Sequence, residues 1–94
     1  RDGQIAHLES QIKLTENRNE KLQENLDLLI SNAANHERSG KEPPETLLKD
    51  IQSLEDQISA NDNYIKVKRT EQDAIKEQFD TDIARFRKLS GNNI

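Results

Sequence analysis

One spacing constrains this chain more than anything else in it. From Ile5, residues recur at alternating steps of three and four: Ile5, Leu8, Ile12, Thr15, Asn19, Leu22, Leu26, Leu29, Ala33 and His36. Seven of the ten are apolar, and the residues between them are mostly Gln, Glu, Lys, Asn, Arg and Ser. An α-helix returns to one face about every 3.6 residues, so the pattern predicts a helix with one narrow apolar stripe. In heptad terms Ile5 is an a position and Leu8 a d position. A second series does the same: Leu47, Ile51, Leu54, Ile58, Asn61, Ile65, Lys68, Gln72, Ile75, Phe79, Asp82, Phe86 and Leu89. Lys68, Gln72 and Asp82 interrupt it after Ile65, while Tyr64, Val67 and Ile83 lie beside it. A small rotation of the helix face, through a stutter, is expected there.

Between the two series lies the stretch HERSGKEPPETLL, from His36 to Leu48. Gly40 can take positive φ without steric cost and so ends a helix. Arg38 places a cation near that C-terminus, where the helix dipole favours it. Pro44 lacks an amide hydrogen and drives Pro43 out of the helical region. Proline is tolerated at the first helical position, and Glu45 then sets a negative charge at a helix N-terminus. The turn residues are therefore Gly40, Pro43 and Pro44, and the break is short enough for antiparallel neighbours. The sequence reads as all-α: an antiparallel two-helix coiled-coil hairpin. Helix 1 covers about residues 3–38, the loop about 39–43, helix 2 about 44–90, and a frayed tail 91–94.

The candidate interaction seam comprises Ile5, Leu8, Ile12, Asn19, Leu22, Leu26 and Leu29 on helix 1. On helix 2 it comprises Leu47, Ile51, Leu54, Ile58, Asn61, Ile65, Ile75, Phe79 and Phe86. Folding at about residue 42 puts Ile5 near Phe79, Leu8 near Ile75, Leu26 near Ile58 and Leu29 near Leu54. The end of helix 2 then overhangs helix 1, and an upstream extension of helix 1 would match it. The chain begins at Arg1 rather than Met, as an excised segment or processed product would. Asn19, at an a position with Asn61 at a nearby level, is a candidate for fixing register.

Composition sharpens the reading. In 94 residues, 31% are hydrophobic and 34% charged, with three aromatic residues and no Cys. That is too little apolar volume for a compact core, but enough for a narrow seam. One seam barely offsets the entropy of ordering two long helices. Self-association is therefore expected, as a four-helix bundle of two hairpins or by packing on another helical protein. Tyr64, Val67, Ile83 and Leu28 could supply the second face. Net charge is −4 with both signs interleaved, which lacks the basic excess of a nucleic-acid binder, so direct contact with nucleic acid is not expected. No apolar run is long enough to span a membrane.

Catalysis is not expected, because a two-helix seam offers no water-excluding pocket for paired carboxylates. His7 and His36 are the two histidines, and neither has a second His at helical spacing, so no metal site is expected. His36-Glu37 reads as a capping or seam-end residue pair. The three glycines are isolated, which leaves no phosphate loop, cofactor or small-molecule substrate to predict. The basic clusters Lys66-Lys68-Arg69 and Arg85-Arg87-Lys88 could meet phosphate, or form solvated faces neutralised by nearby acids.

The fragments QIAHLESQIKLTENRNEKL and PPETLLKDIQSLEDQI, joined by a short Gly-containing break, resemble the coiled-coil segment in the C-terminal part of large serine recombinases. The similarity covers roughly residues 4–75. It implies a protruding antiparallel arm through which DNA-bound subunits touch, without catalytic or zinc-binding residues of its own. This chain departs from that pattern in its longer first helix and loop, and residues 76–94 match nothing in it. A looser similarity is to the α-helical hairpins of bacterial envelope adaptor proteins.

Overall fold

The computed structural model describes residues 2–92. It contains two helices, α1 (Asp2–Arg38) and α2 (Glu45–Asn92), and no strand among the described residues. They fold back on each other as an antiparallel hairpin with extents of 82 × 17 × 16 Å. α2 is one uninterrupted helix and needs no stutter, because Lys68 and Gln72 stay on its inward face. It runs two residues past its expected end, through Gly91. Residues 93 and 94 of the expected frayed tail lie outside the described residues.

The turn follows from local chemistry. Gly40 has φ 75°. That lets the Lys41 amide donate to the His36 carbonyl at 2.9 Å and the Gly40 amide donate to Glu37 at 3.0 Å. The paired bonds satisfy carbonyls that the helix end would otherwise leave bare, which defines a Schellman cap. Pro44 does not occupy the first helical position, as its sequence context suggested. Its carbonyl accepts the Leu47 and Leu48 amides at 3.0 and 3.2 Å, so it is the N-cap and Glu45 begins the helix.

The register is one turn shorter than counting predicts. The Gln72 side-chain amide donates to the Ile5 carbonyl and to Glu9 Oε2, which sets Gln72 beside Leu8 rather than Ile75 beside it. The Asn19 amide reaches toward Asp62 and the Ile58 carbonyl, which sets it beside Asn61. Stepping by heptads from these anchors puts Leu26 level with Leu54 and Leu29 level with Ile51. The cause lies in the loop. The chain reverses at Gly40, and Lys41–Pro44 are non-helical. Extended residues advance about 3.3 Å each against about 1.5 Å in a helix, so α2 starts further from the tip than a helical count allows.

Candidate functional site: one seam with two unlike edges

Every position of the α1 series from Ile5 to His36 is buried or half-buried, as is every position of the α2 series from Leu47 to Ile75. Ile12 is fully buried, and Leu8, Leu26, Ala33 and Leu47 nearly so. Beyond Ile75 the apolar members of the series are more exposed, Phe79 at 40%, Phe86 at 70% and Leu89 at 59%, while Asp82 is half-buried. Ile5 sits level with Ile75, three residues from the described start of α1 at Asp2, so the expected overhang is longer than the count implied. At about 1.5 Å per residue, residues 79–92 project roughly 20 Å past it.

On the edge formed by heptad e positions, the helices are clamped by polar side chains. Arg69 Nη1 donates to Glu9 Oε2 at 2.6 Å, and Nη2 lies 3.9 Å from Glu16. Arg69 also donates to Gln72 Oε1 at 3.2 Å. Gln72 is 3% exposed, yet its amide donates twice and accepts once, so a polar group buried in the seam is satisfied. Its bond to Glu9, then the Arg69 bond, holds the Glu9 carboxyl below its usual range. Further along the same edge Asn19 donates to Asp62 at 2.8 Å. The Asn19 Oδ1 atom is buried without a partner. Sequence reasoning flagged Asn19 but passed over Gln72, which looked like a flaw in the stripe. The signal was Glu9 and Arg69, at flanking positions able to bracket it.

The opposite edge, formed by g positions with the neighbouring c positions, has no such clamp among the described residues. Shallow grooves open along it at three levels. One is bordered by Leu28, Leu29, Ser53 and Leu54, the next by Leu14, Thr15, Ala60 and Tyr64, and the last by Gln4, Ala74 and Ile75. Leu14, Leu28 and Val67 are each about half exposed or more on this side. The α2 residues facing it alternate between short ones, Ser53, Ala60 and Ala74, and longer ones, Asp50, Gln57 and Tyr64. Ile83, offered as part of a second face, is half-buried farther out.

The remaining candidates are placed as follows. His36 is tied to its own helix, with Nδ1 donating to the Asn32 carbonyl at 2.9 Å. His7 is exposed on α1. The basic cluster at Lys66–Arg69 is dispersed. Lys68 pairs with Glu71 at 3.4 Å and lies 5.3 Å from the Tyr64 ring centre, while Arg69 is spent on Glu9. Arg85, Arg87 and Lys88 stay exposed on the projecting end. Among the described residues no cluster of three potential metal ligands occurs, and no helix is long and apolar enough to cross a membrane. No protein family, curated protein or solved structure matches the chain.

Proposed function

We propose that the hairpin is a non-catalytic coiled-coil module for protein–protein interaction that works by self-association into a larger helical bundle. The observation that carries this reading is the open edge. Single exposed leucines are ordinary on any surface. Here Leu14 and Leu28 stand two heptads apart on one side of α1, with Val67 on the same side of α2, over grooves floored by the seam itself. Ser53, Ala60 and Ala74 on α2 leave gaps between the longer Asp50, Gln57 and Tyr64, into which side chains of another helix can seat. A second hairpin laid on that edge would cover what the first leaves wet, and the geometry of the pair would set the spacing of whatever each copy carries.

Sedimentation equilibrium over a wide concentration range, with helicity followed alongside, tests the reading. The wild-type chain is expected to associate, and Leu28→Asp to weaken association while leaving helicity unchanged, since Leu28 is 68% exposed and outside the seam. A wild-type chain that stays monomeric throughout would sink self-association. The recombinase resemblance adds a control with duplex DNA: binding that falls steeply with salt would mark a DNA-contacting arm instead.

A further inference from the structure

We infer that a second copy lies on the open edge with its loop at the same end, so that α1 of each hairpin packs on α2 of the other. The inference rests on the proposed self-association and adds which helix meets which. Two observations carry it. The first is charge. On α1 the c and g positions that line the open edge hold no acid from Gln4 to Asn35, and their charged residues are Arg18 and Lys21. On α2 the same positions hold no base from Asp50 to Gln78, and their charged residues are Asp50 and Glu71. Glu71 also meets Lys68 of its own helix at 3.4 Å. The b and f positions of both helices mix the two signs, so the separation belongs to this edge.

The second observation is register. The bonds of Asn19 and Gln72 fix which residues of α1 and α2 are level. The same register sets Leu14 close to the level of Val67, Lys21 to that of Ala60 and Leu28 to that of Ser53. A two-fold axis along the hairpin keeps these levels and exchanges the helices. Leu28 of one copy then enters the gap at Ser53 of the other, between Asp50 and Gln57. Leu14 meets Val67 of the other copy in the same way. Lys21 lies over Ala60, one turn from Asp56, which borders the same depression on α2. Leu14, Leu28 and Val67, now 52%, 68% and 49% exposed, are all covered. An axis across the hairpin would instead put α1 on α1 and α2 on α2, with the loops at opposite ends. That sets the Arg18 and Lys21 row against itself and the Asp50 and Glu71 row against itself, which like charge disfavours. It also leaves the gaps on α2 facing one another. The favoured symmetry is closed, so two copies complete it, with both turns side by side at one end.

The test uses the full chain, which has no cysteine. A spin label on Glu42→Cys, in the loop, reports orientation. Loops at one end lie two to three helix diameters apart, on the order of 20–30 Å. Loops at opposite ends lie more than about 50 Å apart, because α1 alone has 37 residues that rise about 1.5 Å each. The short distance is expected. Ala60→Lys sets a cation against Lys21 of the other copy and should raise the dissociation constant at least about ten-fold. Helicity should be retained, since Ala60 is exposed. Adding Lys21→Glu to the same chain should recover the association. Association with the long distance would overturn this arrangement and leave the open-edge reading standing, as would a double variant no better than Ala60→Lys alone. A wild-type chain that stays monomeric, or association indifferent to Leu28→Asp, would overturn both.

Discussion

The two edges of the seam are built on the same helices and the same heptads, yet one is clamped and the other open. The clamped edge carries long side chains whose ends meet: Arg69 spans to Glu9 and Glu16, and Gln72 lies beneath them. The open edge carries Asn25, Asp50 and Gln57 beside Leu28, and Gln11, Arg18 and Tyr64 beside Leu14, and among the described residues none of these makes a hydrogen bond or ion pair across to the other helix. The fully buried Ile12 lies in the half of the hairpin where α2 supplies Lys68 and Gln72. The more apolar half, toward the loop, has Leu26, Ala33 and Leu47 buried and Leu22, Leu29, Ile51, Leu54 and Ile58 half-buried. Both halves therefore bury their seam to a similar degree, and what separates the two edges is whether the polar ends of the flanking side chains meet across the helices.

The largest effect should come from cutting the seam beneath both edges. Leu26 is 6% exposed and faces the Leu54 level. Leu26→Asp buries an unpaired carboxylate there, and the cost, on the order of 3–5 kcal/mol, is comparable to the stability of a small domain. Circular dichroism at fixed protein concentration should show most of the helix lost at neutral pH. Helicity equal to wild type would mean that the seam is not what orders the chain.

The next effect isolates the clamp. Gln72→Ala leaves the Ile5 carbonyl and Glu9 without their donor and opens space beside Leu8. A loss of about 1–3 kcal/mol in denaturant unfolding is expected. Gln72→Leu, which fills the space and removes the polar atom together, should recover part of it. If Gln72→Ala were neutral, the clamp would be ornament and the two edges equivalent in energy.

Asn19 should move stability the other way. Its unpartnered Oδ1 is buried, and its one short bond goes to the exposed Asp62. Replacing it with Leu removes the orphan acceptor and adds an aliphatic layer, so Asn19→Leu should gain about 1 kcal/mol. The gain should come with looser register, since a polar layer specifies alignment at the expense of stability. Thermal unfolding reads the first effect, and the distribution of assembled masses reads the second. A destabilised variant would show that Asn19 bonds outweigh its orphan.

Much of this hairpin could be read from the sequence, and the parts that could not share a cause. The inward positions follow from spacing alone, because a helix has one period and the apolar residues declare its phase. Gly40 announced the reversal because positive φ is costly for any other residue. Register was not legible. It depends on how far Lys41–Pro44 carry the chain back along α1, and an extended residue covers twice the axial distance of a helical one. Gln72 was misread as a weak point because a stripe counts residue types and not partners. Its partner Glu9 is 63 positions away in sequence and meets it only once the register is known.

The smallest effect belongs to the clamp's charge. Glu9 titrates below its usual range, first because Gln72 donates to it and then because Arg69 does. A carboxyl depressed in the folded state contributes stability that is present above its unfolded pKa, near 4.5, and lost as pH falls through the lower folded value. The hairpin should therefore weaken through this group only below about pH 4.5, and Glu9→Gln should flatten that limb of the stability–pH curve. The side chain is 37% exposed, so solvent screens the pair and the change should be small. Added salt should shrink it further, whereas the effect of Gln72→Ala should persist in larger part, since it includes the neutral bond to the Ile5 carbonyl and the filled space beside Leu8. That contrast would place the clamp's strength in the amide beneath the ion pair. Equal salt sensitivity in both variants would place it in the ion pair instead.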